Sequence, residues 1–400
     1  MFETRFDQSP SWGVPWEPPH WMAEEGPEAS VAVWCQCSLV RNLADFAFPE
    51  TCSGEDKTSV EQRVLSALRE LNLCEEGRYY PLSDLSRAEV LCLAECRLIP
   101  YELTLNGSHG GVYVTEDRST SIAVNGADHL CITALASGCQ VQEVWSRLTV
   151  LDDRLAGKLD YAFDKRLGFL TTSLGHAGTG LKESVVLHLP ALVMLNGMAN
   201  LVQAARQRRQ AIHGFKSVVS PVAAPLAPGT SSGEGSGENA LASNPGDGFY
   251  MDLTGALYGD VAEAEGDLFM LTNLATLGVS EEEILFHLRH AASDIIAQER
   301  AARESLLMRE SKRLEDRVWR AVGIAQNARV IGFTESVGLW SSLRLGIETG
   351  LLSEHSLREL DELLFASQGG HTRMRSGRDC DEWMLGIERA DLLRARFRAA

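Results

Sequence analysis

The chain has 400 residues, 44% of them hydrophobic, with nine cysteines and a formal net charge of −18. That length supports one large domain and a smaller one. The negative charge argues against a general nucleic-acid binder, and the lack of a long apolar run argues against a membrane span.

The opening residues, MFETRFDQSP, hold no apolar signal core, so the chain is expected in the cytoplasm. Cysteines there are read as small buried hydrophobes. The closest pairs are Cys35/Cys37 and Cys92/Cys96, no Cys-x-x-Cys occurs, and no metal site is expected.

Residues 1–30 read as an extended proline-rich arm, pinned by Trp12, Trp16 and Trp21. Val31 to Val33 reads as a strand, and Leu39 to Phe46 as a turn and short helix. Residues 58–74 carry Val60, Val64, Leu65, Leu68 and Leu71 at helical spacing, with Thr58 or Ser59 as cap. A second helix is expected over 84–94, a hairpin over 111–124 turning at Glu116-Asp117-Arg118, and a helix over 138–160.

The organising stretch is YAFDKRLGFLTTSLGHAGTGLKESVVLHLPAL, from Tyr161 to Leu192. LGFLTTS reads as a buried strand and SVVLHLPAL as a second β-rich run. Between them stand Gly175, Gly178, Gly180 and then Lys182. Such a turn either presents NH groups as an anion-binding concavity or is only a turn. A helix over 192–213 ends in Arg206, Arg208 and Arg209. Residues 219–248, rich in Pro, Gly and Ser, read as a disordered insertion. Beyond Ser280, which forms a capping box with Glu283, the chain reads as helical. Thr334 and Ser353 are expected to cap helices over 334–347 and 353–365, ahead of the tail over 377–400.

The organising stretch resembles the signature of the ATP:guanidino phosphotransferases (phosphagen kinases), nearest the bacterial protein-arginine kinases of the McsB type. It keeps Gly168, Leu170, Thr171, the run Gly178-Thr179-Gly180-Leu181, Ser184, Val185 and Leu187-His188-Leu189-Pro190. NGADHLCI, from Asn125, is similar to the family's NEEDHLRI, and GALYGDVAEAEGDLFMLTNLATLG, from Gly255, to RGxYGExxEAxGNLFQISNxxTLG. Arg41-Asn42-Leu43 fits the end of the entry segment. In the tail, Arg389 and Ala390 fit the last two positions of an RDxxRA phosphoarginine motif, while its leading pair falls on Leu385-Gly386.

This resemblance implies an α+β fold, a large antiparallel sheet flanked by helices, followed by a helical C-terminal domain. The implied boundaries are an arm over 1–30, a catalytic-type domain over 31–303 and a helical domain over 304–400. By family position, nucleotide would meet Gln36, Ser38, Arg41, His129, Cys131, Gly178, Thr179, Gly180, Lys182, Ser184 and Glu263. Arg389 and Ala390 would be the remnant of a phosphoarginine site.

Phosphoryl transfer from ATP to a guanidinium needs neutralised phosphate charge and a carboxylate that takes the proton. The family's arginines fall on Gln36, Ser38, Cys131, Lys182 and Gly255, and its base on Ala127; Glu183 or Asp128 would be the substitutes. The expectation is therefore a pseudokinase, a binding or regulatory subunit, with no cofactor and with ATP/Mg held only through residual nucleotide binding. The alternative is an active phosphotransferase with relocated groups. Expected partners are a second copy, an active paralogue, or an arginine- or phosphoarginine-bearing protein, with neither nucleic acid nor membrane.

Overall fold

Strong β-formers alternate through the first two thirds of the chain, and amphipathic helices follow. The computed structural model describes residues 17–22, 24–106, 109–216, 249–251, 257–259, 261, 264–377 and 380–398. In chain order the strands are β1 (Ala32–Arg41), β2 (Gly77–Pro81), β3 (Gly111–Thr115), β4 (Thr120–Val124), β5 (Leu130–Ser137), β6 (Phe163–Asp164), β7 (Gly168–Phe169), β8 (Leu181–His188), β9 (Gln210–Phe215), β10 (Phe249–Met251), β11 (Leu257–Gly259) and β12 (Leu268–Asn273). Ten of them form one sheet in the order β10-β11-β9-β12-β8-β1-β5-β4-β3-β2, while β6 and β7 make a separate ribbon. Every pairing is antiparallel.

The helices are α1 (Gly54–Glu70), α2 (Arg87–Glu95), α3 (Leu103–Asn106), α4 (Val141–Ala156), α5 (Pro190–Met194), α6 (Met198–Gln207), α7 (Glu281–Arg309), α8 (Ser311–Asn327), α9 (Phe333–Glu348), α10 (Leu357–Ala366), α11 (Gly369–Ser376) and α12 (Glu382–Phe397). The large antiparallel sheet with flanking helices and a helical C-terminal region is the expected α+β fold. No helix among the described residues is long and apolar enough to cross a membrane.

The period of two along each strand divides the core. Cys35, Cys37 and Leu39 of β1 join Val185 and Leu187 of β8 beneath α4 and α7. Trp34 and Val40 of β1 face the other way, with Val186 of β8 and residues of α2, α9 and α10. Trp34 is buried and meets Phe215 and Phe365 edge-on, at 5.5 Å and 5.7 Å. Trp21 of the arm packs edge-on to Phe365 at 6.0 Å, whereas Trp12 and Trp16 lie outside the described residues.

The Leu187–Pro190 run ties the sheet to the C-terminal helices. Arg303 Nη2 donates to the His188 carbonyl at 3.2 Å. Glu299 of α7 accepts from the backbone NH groups of Ala191 and Leu192, at 3.1 Å and 3.0 Å. His188 is wholly buried, which holds its imidazole well below the ordinary range and hence neutral, with Nε2 2.9 Å from Ser341 Oγ. These contacts make the motif a structural joint. Helix α7 runs unbroken through the expected boundary at 303–304 and ends at Arg309.

Several local expectations change. Strand β1 continues to Arg41, so no helix begins at Leu39. LGFLTTS contributes only the short β7, paired with β6, and Leu167 is exposed. The stretch over 192–213 splits into α5, α6 and strand β9. Ser53, not Thr58 or Ser59, caps α1 through a box with Asp56; Ser356, not Ser353, caps α10 through a box with Glu359. Gly332 precedes α9 without a side-chain cap. The hairpin over 111–124 and the Ser280–Glu283 box form as read. The insertion over 219–248 lies outside the described residues.

Candidate functional site

Antiparallel register gathers five of the family positions onto one sheet face. Ser38 lies opposite Thr133 on one side and Lys182 on the other. One pleat along, Gln36 lies opposite Leu135 and Ser184, and Ser184 opposite Thr272. Cys131 belongs to the adjoining row, between Val40 and Ala123. Alternation places all these side chains on the face shared with Trp34.

Within this strip the short polar groups bond to one another. Ser38 Oγ is 3.0 Å from Thr133 Oγ1, and Gln36 Nε2 donates to Ser38 Oγ at 3.3 Å. Cys131 Sγ is 3.7 Å from Thr133 Oγ1, and Ser184 Oγ donates to the Gln36 carbonyl at 3.4 Å. Lys182 Nζ donates to the Asn273 carbonyl at 3.4 Å. Of Gln36, Ser38, Cys131, Lys182 and Ser184, only Lys182 carries positive charge. Five such side chains do not match the multiply charged phosphates of ATP, which call for paired cationic forks.

The glycine turn is used internally. Gly178 N donates to the Phe169 carbonyl, Thr179 N to Thr276, Gly180 N to His176, and Leu181 N to Thr179 Oγ1. No concavity of outward NH groups remains across these four residues, contrary to the anion-cradle reading. The glycines answer close packing instead. A Cβ at Gly178 would stand 2.3 Å from the Thr276 carbonyl oxygen, and both Gly178 and Gly180 have positive φ.

Arg41 is likewise committed to structure. Its guanidinium donates twice to Asp152 Oδ2, at 2.8 Å and 3.2 Å, and to the carbonyls of Val40 and Thr179. The ring of Phe169 lies 3.6 Å below it. An arginine so enclosed braces the turn, with both edges of its guanidinium engaged by protein acceptors.

The base position is an alanine beside an organised acid. Asp128 Oδ1 accepts from Asn42 Nδ2 at 2.6 Å and from Thr172 N at 2.7 Å, while Thr172 Oγ1 donates to the Ala127 carbonyl. Asp128 Oδ2 is buried with no hydrogen-bond partner among the described residues. His129 Nδ1 accepts from Leu43 N at 3.1 Å, and burial pushes its imidazole down to about 4, so it stands neutral.

Glu183 is not available as a substitute base. Alternation along β8 sends it to the opposite face from Lys182, into the core opposite Cys37. Burial raises its carboxyl well above the usual range, and Cys37 beside it opposes that shift. The two neighbours in sequence therefore do not pair. Gly255 and Glu263 lie outside the described residues.

In α12, Arg389 Nε donates to the Ser367 carbonyl at 2.8 Å and Nη1 to Glu382 at 2.9 Å, and Ala390 is buried. This arginine holds α12 against the end of α10. Sequence reading missed Thr133 and Thr272, whose roles come only from cross-strand register. Asn273 matches the family pattern, but its role comes only from the structure: its side chain spans the Glu183 NH and the Leu181 carbonyl.

Sheet, turn and helices together define a guanidino-kinase fold. Solved structures similar to this chain include the substrate-free duplicated taurocyamine kinase from Schistosoma mansoni, with a TM-score of 0.52 at 18% identity, over 72% of this chain and 36% of that one. Lombricine kinase gives a TM-score of 0.50 at 19% identity, over 73% of each chain. The family model for the ATP:guanido phosphotransferase C-terminal catalytic domain matches residues 59–225 and 251–302, and that for the protein-arginine kinase McsB C-terminal domain matches 311–400. The protein-arginine kinases of Symbiobacterium thermophilum and Halalkalibacterium halodurans are each 33% identical to it, over 95% and 94% of this chain and 96% and 95% of their own. The chain belongs to the protein-arginine kinase family of ATP:guanido phosphotransferases.

Proposed function

We propose that this chain is a protein-arginine kinase homologue without phosphotransfer activity, serving as a cytoplasmic binding or regulatory subunit. One observation carries the reading: Gln36, Ser38 and Cys131, at family arginine positions, stand on one sheet face and satisfy neighbouring hydroxyls. Removing a single donor to a developing oxyanion typically costs about 10²- to 10³-fold in rate. Here several donors are replaced together, and the base position is Ala127. Such losses do not add, but all act in one direction.

The partner in this reading is protein: a second copy, an active paralogue that keeps the arginines, or a chain bearing arginine or phosphoarginine. The test is incubation of the purified chain with Mg·ATP and an arginine-rich protein. No acid-labile phosphoarginine above a heat-killed control is expected; formation above that control overturns the proposal.

Asp128 favours a second reading, an active phosphotransferase with a displaced base. Its Oδ2 is buried and without a partner among the described residues. Any phosphoarginine that forms, and that Asp128→Asn abolishes while leaving the melting temperature unchanged, supports this reading over the first.

A further inference from the structure

Two cysteines and a histidine from opposite ends of the sequence meet where α11 packs on α2. Cys92 and Cys96 lie one helical turn apart, on the same side of α2 and at its C-terminal end. His371 lies in the first turn of α11. Its Nε2 is 3.5 Å from Cys92 Sγ and 3.4 Å from Cys96 Sγ. All three side chains are buried, and one donor atom from each lies within 4.8 Å of the others.

We infer that Cys92, Cys96 and His371 form a zinc site that joins the C-terminal helix α11 to α2. Tetrahedral zinc has Zn–S near 2.3 Å and Zn–N near 2.0–2.1 Å, which sets a sulfur-to-nitrogen separation of about 3.6 Å. The two observed separations lie within about 0.2 Å of that figure. The donor set, two soft sulfurs and an imidazole, is the one zinc favours.

The surroundings also suit a ligand. His371 Nδ1 is 2.7 Å from Glu95 Oε2, the carboxylate contact that fixes a metal-binding imidazole with its other nitrogen toward the ion. Glu95 is itself held by the backbone NH groups of Gly370 and His371, at 2.7 Å and 3.0 Å. Gly370 permits the close approach of the two helices, since a Cβ there would stand 2.7 Å from Cys92 N. On binding, zinc displaces two protons from the Cys92, Cys96 and His371 cluster to solvent, leaving two thiolates and a neutral imidazole, so the ion and its three protein ligands are together electrically neutral. The fourth position of a tetrahedral ion would go to a small ligand such as water.

The test uses the full chain, purified reduced and without added metal. Elemental analysis is expected to find close to one zinc per chain. After zinc removal, Co²⁺ is expected to give the near-ultraviolet absorption of thiolate-to-cobalt charge transfer. Cys92→Ser and Cys96→Ser should each abolish that band, while the Cys52→Ser/Cys74→Ser double variant, altering two thiols outside the cluster, should keep it. Wild-type protein with no zinc and no cobalt band overturns the inference whatever the variants do. A band that survives in folded Cys96→Ser overturns it as well, by placing the metal elsewhere.

Discussion

Arg41 Nη1 donates to the Thr179 carbonyl at 3.0 Å, and a Cβ on the next residue, Gly180, would stand 2.5 Å from that nitrogen. The glycine that reads as a phosphate cradle thus makes room for a buried guanidinium. Replacing Gly180 by alanine forces a side chain into a φ of +66° and against Arg41. Gly180→Ala should cost about 1–3 kcal/mol in urea unfolding. Gly323→Ala is the internal control. That residue is exposed within α8, nothing lies near its added Cβ, and the substitution should stabilise by about 0.5–1 kcal/mol. Equal and small effects at both positions would contradict the packing account of the turn.

The Arg41–Asp152 pair is buried on both sides. Removing one partner strands the other charge, so Arg41→Ala should destabilise by about 3–5 kcal/mol. Arg41→Lys should recover only part of the loss, because lysine lacks the fork that reaches Asp152 and two carbonyls together. Chemical denaturation of the three proteins checks this. Full recovery by lysine would show that point charge alone matters there.

Glu183 sets a pH dependence. Its folded-state pKa is raised by burial above the ordinary 4.5. The unfolded chain therefore loses this proton first, so stability linked to Glu183 is complete below about pH 4.5 and declines as pH rises. Glu183→Gln removes that proton without changing shape. The variant should match wild type near pH 4 and exceed it by about 1–3 kcal/mol near pH 8. Melting curves across this range decide the matter; parallel pH profiles would mean that the carboxyl does not titrate against burial.

How much of this was legible in sequence depends on the range of the signal. The Ser280–Glu283 box and the hairpin over 111–124 are local patterns, and both form. Ser53 escaped notice because its box partner, Asp56, lies ahead of the apolar stripe that marks α1. LGFLTTS misled because an apolar run does not say which sheet it joins. Lys182 and Glu183 are adjacent in sequence, yet a period of two sends them to opposite faces. Family order names Gln36, Ser38, Cys131 and Lys182 one by one, and only cross-strand register places them on one sheet face. The meeting of Cys92 and Cys96 with His371 had no local signal, because packing of α11 on α2 creates it.

Nucleotide affinity should be slight. A ligand at a concentration equal to its Kd stabilises by only about 0.4 kcal/mol. Millimolar Mg·ATP should therefore shift the melting temperature by no more than a degree or so. A shift of several degrees, lost at moderate salt, would reveal a cationic nucleotide site that the strip around Lys182 does not supply.

The most direct measurement is a single-turnover experiment, with the chain in excess over γ-labelled ATP and an arginine-rich protein present. Under these conditions even one slow transfer per molecule registers as labelled phosphoarginine. The account predicts that the label stays on ATP for hours, at the rate of a heat-killed control. Label that moves to arginine in proportion to the concentration of folded chain would contradict it.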